Sequence, residues 1–114
     1  MPLSERVRVE VYLPDLPLSA YRELLNTLEL EFTYTFGGCT LIRGLNGSYQ
    51  SNLGFPIEDR VNFIYTDTPF TFAVGFERLS RYTDALRQTA YDALDEESIL
   101  VVAYKIFHSD NTIS

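Results

Sequence analysis

Alternating apolar and polar positions mark the first predicted strand of the chain. Residues 7–13 are apolar at every second position, with Arg8, Glu10 and Tyr12 between, and a period of two is typical of a half-buried strand. Further strands are predicted at about 39–44, 59–66 and 98–107. The last of them is almost continuously apolar, so we expect both of its faces to be covered.

Two stretches show the spacing of helices. From Leu18 the apolar positions recur three and four residues apart through Leu28, which predicts a helix of about three turns. A longer helix with the same spacing is predicted from Phe76 to Leu94. Residues 32–36 alternate instead and stop at the pair Gly37-Gly38.

Residues 44–54 separate the second and third predicted strands. This segment is rich in Gly, Asn and Ser, and it contains the dipeptide Asn46-Gly47, which suits the positive φ angles of a tight hairpin turn. We therefore predict a β-ribbon with a mobile tip, the most mobile part of the chain, because the segment has little apolar surface to bury.

The order of the predicted elements is β-α-β-β-α-β, without repeats or a linker long enough to divide the chain. Two right-handed β-α-β crossovers in this order give an α+β, ferredoxin-like sandwich: a four-stranded antiparallel sheet with both helices on one face. Residues 1–114 are expected to form a single domain.

Apolar residues occupy both faces of this predicted sheet. Phe63 and Tyr65 alternate with Ile64, and the last strand is apolar at odd and even positions. Because the helices cover only one face, a lone chain would expose an apolar face and an apolar edge strand. The sequence therefore predicts a homodimer or larger oligomer that associates through the open face or that edge.

Composition excludes several classes of protein. The net charge of -7, from nine Lys or Arg against sixteen Asp or Glu, opposes binding to a phosphate backbone, so no nucleic-acid partner is expected. The longest uncharged stretch, 44–57, is too polar and short to cross a bilayer, so no membrane partner is expected. Charges within the first ten residues interrupt any signal peptide, which favours the cytoplasm. Cys39 is the only cysteine, which excludes an intrachain disulfide and the usual cysteine zinc sites.

The middle of the chain carries a recognisable pattern. It consists of Phe36-Gly37-Gly38-Cys39-Thr40, then Gly47-Ser48-Tyr49, then Glu58 before the next strand. Over about residues 7–66 the chain resembles a family of small bacterial proteins of unknown function. In that family a Phe and a Gly-x-Thr strand start precede a Gly-x-aromatic hairpin and a Glu. The resemblance implies a ferredoxin-like fold and brings no known activity. This chain has Cys39 where the family has an aliphatic residue, and Tyr49 where the family has Trp.

By topology alone, the chain is also similar to the nitrogen-regulatory signalling proteins. These are ferredoxin-like trimers that bind ligand and partner through the loop between the second and third strands. This similarity is an analogy of fold and implies no shared site residues.

Candidate ligand-binding residues lie on the predicted hairpin and its flanks: Thr40, Arg43, Tyr49 and Glu58. Polar and aromatic groups at such a hairpin can converge on a small ligand. In the structural alternative, Tyr49 covers the sheet edge while Arg43 and Glu58 pair across the strands. Glu58 and Asp59 are neighbours whose side chains project in different directions, so no metal site is expected.

Three further features have both a chemical and a structural interpretation. His108 is the only histidine and is a candidate general base at the end of the last strand, or an incidental surface residue. Cys39 is either a reactive thiol or a small buried apolar residue. The run Asp95-Glu96-Glu97 is either a solvated turn or a cation or partner site. The chain has no Ser-His-Asp arrangement, phosphate loop or cofactor fingerprint, so no cofactor is expected.

The sequence is compatible with two functions. The first is a non-catalytic oligomeric module that binds a small molecule or a protein partner through about residues 40–60. The alternative is a small enzyme of the dimeric α+β barrel type, with His108, Tyr49 or Glu58 as the proton-transfer group. A deep pocket that brings two of these three groups together would favour the enzyme, and a shallow polar surface would favour the module.

Overall fold

The computed structural model describes residues 3–15, 18–50, 56–94 and 99–109, with residues 45–50 and 56–60 described by their backbone alone. Six elements follow one another along the chain: β1 (Leu3–Pro14), α1 (Ser19–Phe36), β2 (Thr40–Gln50), β3 (Pro56–Thr68), α2 (Phe72–Leu94) and β4 (Leu100–Ser109). The strands form one antiparallel sheet in the order β2-β3-β1-β4. The predicted ferredoxin-like α+β fold is confirmed.

The core lies between one face of the sheet and the two helices. The alternation along β1 turns Val7, Val9, Val11 and Leu13 toward the helices, and all four are fully buried. The helices contribute buried apolar residues to the same cluster: Leu24, Leu25, Leu28 and Phe32 from α1, and Leu79, Leu86 and Ala90 from α2. We call this side of the sheet the helix face, and the opposite side the open face.

Helix α1 is longer than its first apolar repeats indicate. Residues 32–36, which alternate in the sequence, are its last turns, and Phe32 is fully buried in the core. The helix ends at Gly37, whose φ of 88° is left-handed and whose N–H donates to the carbonyl of Thr33 at 2.9 Å. A glycine at this position closes the helix without Cβ strain. Helix α2 also begins earlier than predicted, at Phe72 rather than Phe76.

Strands β2 and β3 extend beyond the rest of the sheet. Pairing of β1 with β3 ends at Pro14 opposite Val61, whereas pairing of β2 with β3 continues to Gln50 opposite Pro56. Residues 45–50 and 56–60 therefore form a two-stranded extension, which we call the arm. The prediction of a tight turn at Asn46-Gly47 is wrong, because both residues lie in β2 and pair with Arg60 and Asp59 of β3. The connection at 51–55 lies outside the described residues, and the mobility of 44–54 stays a prediction.

Strand β4 forms one edge of the sheet and pairs with β1. The expectation that both of its faces are covered is not met within one chain, since Leu100 is 54% exposed and Phe107 is 55% exposed. The strand order places β4 at the edge of the sheet, as expected for an apolar strand that a lone chain leaves exposed. Neither described helix has the length and apolar character needed to cross a membrane.

Candidate functional site

The residues that the sequence singles out are spread over the sheet. Thr40 and Arg43 are exposed on β2. Tyr49 and Glu58 belong to the arm, which the structure describes by its backbone alone. His108 is half-buried on β4, opposite Ser4. Since β2 and β4 are opposite edges of the sheet, the fold does not bring Thr40 and His108 together.

The register also separates the proposed acid–base groups. His108 lies opposite the beginning of β1, whereas Glu58 and Tyr49 lie on the arm beyond the end of β1. One chain therefore holds His108 at one end of the sheet and the other two residues at the opposite end. Cys39 is half-buried and packs against the core, and the run Asp95-Glu96-Glu97 lies outside the described residues.

The fold instead assembles a polar and aromatic cluster on the open face. Directly paired residues of antiparallel strands share a face, and Arg8, Glu10 and Tyr12 of β1 face β3 on one side and β4 on the other. Seven residues make up what we call the open-face cluster: Arg8, Glu10, Tyr12, Phe63, Tyr65, Asp67 and Tyr104.

Glu10 is at the centre of the cluster. Although it lies on the open face, it is only 6% exposed. Tyr12 donates its hydroxyl to Oε1 of Glu10 at 2.9 Å, and Tyr104 donates its hydroxyl to Oε2 at 2.9 Å. Both carboxylate oxygens therefore have a donor from within the chain, which offsets the cost of taking the charge out of water.

Arg8 links the cluster to β3. Its Nε donates to Oδ1 of Asp67 at 2.7 Å and a terminal nitrogen donates to Oδ2 at 3.1 Å, a bidentate pair. The guanidinium carbon also lies 4.2 Å from the centre of the Tyr65 ring, in cation–π contact. The hydrogen bond with Asp67 raises the pKa of Arg8 further above its ordinary value, so Arg8 stays charged.

Three aromatic rings of the cluster form a continuous stack. The centres of Tyr12 and Phe63 are 5.1 Å apart, those of Phe63 and Tyr65 are 6.0 Å apart, and both pairs are inclined by 23°. The Phe63 ring thus stacks with both Tyr12 and Tyr65. The guanidinium group of Arg8 lies over the Tyr65 ring.

The tyrosine hydroxyls of the cluster are held in their protonated form. Burial, and then the hydrogen bond to Glu10, raise the pKa of Tyr12 to about 12 from an ordinary value of 10.0. Burial and the Glu10 hydrogen bond also raise the pKa of Tyr104. Both side chains therefore remain hydrogen-bond donors to Glu10 over the physiological range of pH.

The Tyr12 pKa predicts a stability change in alkali. Because folding raises this pKa, the contribution to stability is complete below pH 10, the ordinary value, and is lost as pH rises through about 12. In an ultraviolet titration of tyrosinate, we expect Tyr12→Phe to reduce the amplitude of the late-ionising phase. A late phase of unchanged amplitude in this variant would show that Tyr12 ionises earlier.

A shallow cavity of about 200 Å³ lies elsewhere, between α2 and β4. The described residues that line it are Phe72, Phe76, Leu79, Ser80, Thr83 and Ala103. None of them is titratable near neutral pH, and none is a residue that the sequence singled out. Nor do three His, Cys, Asp or Glu side chains come together as a possible metal site anywhere in the described part of the chain.

The open-face cluster was not identified as a site from the sequence. The alternation of β1 does place Arg8, Glu10 and Tyr12 on one face, and this is the signal that was available. Their partners could not be found in this way, because Asp67 and Tyr104 are 59 and 94 residues away from the groups that they bind. The register of β1 with β3 and β4 supplies that information.

Comparison with solved structures agrees on the fold. The chain is similar to CutA1 from Oryza sativa, with a TM-score of 0.60 and 16% identity over 95% of this chain and 85% of that one. It is also similar to a nitrogen-regulatory PII-like protein from Thiomonas intermedia K12, with a TM-score of 0.53 and 17% identity over 96% of this chain and 100% of that one. The topological likeness to nitrogen-regulatory proteins is therefore confirmed at the level of the fold.

A third similar structure is a phage SAM lyase in complex with S-methyl-5'-thioadenosine, with a TM-score of 0.56 and 12% identity over 90% of each chain. The fold thus occurs in an enzyme as well as in a regulatory protein, and at these identities it does not decide between the two. The PII-like structure is described with ADP, AMP and bicarbonate bound. No protein-family profile matches this chain, and no curated protein matches it, so the resemblance to a small bacterial family stays a prediction.

Proposed function

We propose that this protein is a non-catalytic module that assembles with copies of itself through the open face and binds a small molecule or a protein partner through the arm. The observation that carries the proposal is the open-face cluster. Its buried carboxylate and its arginine already have their hydrogen-bond partners within one chain. A second copy can therefore cover this face without leaving those charged groups unpaired.

The charges and the apolar residues of this face favour a second copy as the occupant. Although the chain carries a net charge of -7, Arg6 and Arg8 offset Glu10 and Asp67 on the open face. Contact between two such faces therefore brings together no excess of like charge, although the chain as a whole is acidic. Leu100, 54% exposed, adds apolar surface beside Tyr12 at the β4 side, where contact with another chain would remove it from water.

The arm is the second part of the proposal. It projects beyond β1 as paired backbone, so a ligand or partner can reach it while the open face is covered. Arg43, exposed on β2, lies next to the arm, and Tyr49 and Glu58 lie on the arm itself. Thr40 is also exposed on β2 but is farther from the arm, where it pairs with Tyr65 of the open-face cluster. We place the assembly in the cytoplasm, which suits a chain with a single cysteine, Cys39.

Light scattering at micromolar concentration tests the assembly. We expect a mass of two or more chains for the wild type and a shift toward one chain for Leu100→Asp, because a charge would be buried in the contact. The matched control is Leu30→Asp: Leu30 is 72% exposed on α1, away from the open face, and its variant keeps the wild-type mass. A monomeric wild type, or equal dissociation by both variants, would refute the proposed assembly.

A further inference from the structure

The place where the arm leaves the sheet has an irregular backbone. Ile42 pairs with Phe63 and Leu45 pairs with Val61, so Arg43 and Gly44 together oppose the single residue Asn62. This is a β-bulge, a feature that bends and twists the strand which carries it. Gly44 has a φ of 71°, which glycine adopts without the Cβ strain of other residues.

The bulge lies where the pairing of β1 with β3 ends, one residue beyond the last pair of β1 with β4, Tyr12 opposite Leu100. Leu13 pairs with Asn62 and Pro14 with Val61, after which β1 ends. Beyond this level, the backbone pairing of the described residues joins the arm's two strands to each other alone. The direction of the arm is therefore set at the bulge.

A buried side chain connects the bulge to the end of β1. Asn62 is 4% exposed and lies on the helix face beside Leu13. The N–H of Gly44 donates to Oδ1 of Asn62 at 2.8 Å, and Nδ2 of Asn62 donates to Oδ1 of Asp15 at 3.2 Å. We call these two hydrogen bonds the Asn62 bridge.

We propose that the Asn62 bridge is a conformational device that holds the arm at one angle to the sheet, so that reorienting the arm requires the Gly44 hydrogen bond to break. A buried amide costs free energy of desolvation that an apolar residue beside Leu13 would avoid. The amide recovers this cost by satisfying the bulge N–H and by joining β2 to the segment that follows β1. The proposal concerns a single chain and does not depend on self-association.

Distances between spin labels test the angle of the arm. One label is placed on the arm through Gly47→Cys and the other on α1 through Tyr34→Cys, where Tyr34 is 93% exposed, in a chain with Cys39→Ser. Labelled chains are diluted into unlabelled chains, so that only distances within one chain are measured. We expect a narrow distribution for the parent and a broader, shifted distribution for Asn62→Leu, with exchange of the Gly44 amide at least about fivefold faster.

The control separates a specific role from general loss of stability. Thr66 is 3% exposed on the same strand and face, and its hydroxyl donates to the carbonyl of Gly38 at 2.7 Å. Thr66→Val removes a comparable buried hydrogen bond away from the bulge, so it leaves the label distances unchanged. Should Asn62→Leu fail to fold, Asp15→Ala at a half-buried position gives the same readouts with smaller changes.

Two results would overturn the proposal. The first is an arm distance and Gly44 exchange rate that stay at the parental values in every bridge variant that folds. The second is equal broadening in Thr66→Val, which would make the bridge one of several general contributions to stability.

Discussion

Replacing Phe32 with alanine is expected to lower the free energy of unfolding by about 3 to 5 kcal/mol, the cost of deleting a fully buried aromatic side chain. Phe32 has no exposed surface and is the largest fully buried side chain among the residues that the structure describes. It belongs to the cluster that joins α1 to the sheet and to α2. The variant would leave a cavity at the centre of the core, where neighbouring side chains can collapse only in part.

Tyr34→Ala is the matched control for this variant. Tyr34 is two residues away on the same helix and 93% exposed, so its removal is expected to change stability by no more than about 0.5 kcal/mol. Urea titrations of both variants, followed by circular dichroism, measure the difference. Similar losses for the two variants would contradict the burial of Phe32, and with it the extension of α1 to residue 36.

Replacing Glu10 with alanine is expected to lower the free energy of unfolding by about 1 to 3 kcal/mol, the cost of leaving buried polar groups without partners. Two tyrosine hydroxyls, those of Tyr12 and Tyr104, would lose their acceptor. The rings of Tyr12 and Tyr104 would also lose the carboxylate that orients them. A weaker assembly should accompany the loss of stability if the open face is the contact between chains.

Glu10→Gln and Glu23→Ala complete this experiment. The amide of Gln can accept from one tyrosine and donate to the other, so the loss for Glu10→Gln is expected to be smaller than for Glu10→Ala. Glu23 is exposed on α1, and its replacement is expected to cost no more than about 0.5 kcal/mol. An equal effect of Glu10→Ala and Glu23→Ala would show that the carboxylate does not organise the open face.

Local patterns predicted the elements well where the apolar period was unambiguous. Val7 to Leu13 alternate, and they form the buried side of β1 as expected. Phe32 and Phe36 continue the helical spacing of Leu28, but the alternation of residues 32–36 suits a strand equally well, so the end of α1 was missed. Asn46-Gly47 is a good turn sequence, yet it lies within β2 because longer-range pairing with Asp59 and Arg60 outweighs the local preference.

The candidate site was less predictable than the fold. Residue type and closeness to predicted turns point to Thr40, Arg43, Tyr49, Glu58 and His108. The fold distributes these residues over three strands and between the two ends of the sheet. Asn62 is an ordinary polar residue in the sequence of β3. Its role is visible only once the bulge places the Gly44 N–H 2.8 Å from its side-chain oxygen.

Periodicity within short segments was enough to predict the order of the six elements and the buried side of β1, and that order defined the class of fold. Which distant side chains meet could not be predicted in this way. Arg8 binds Asp67 across 59 positions and Tyr104 binds Glu10 across 94, and neither pair follows from local pattern. Strand order and register bring these residues together, and in a sheet a shift of one residue would turn each of them to the opposite face.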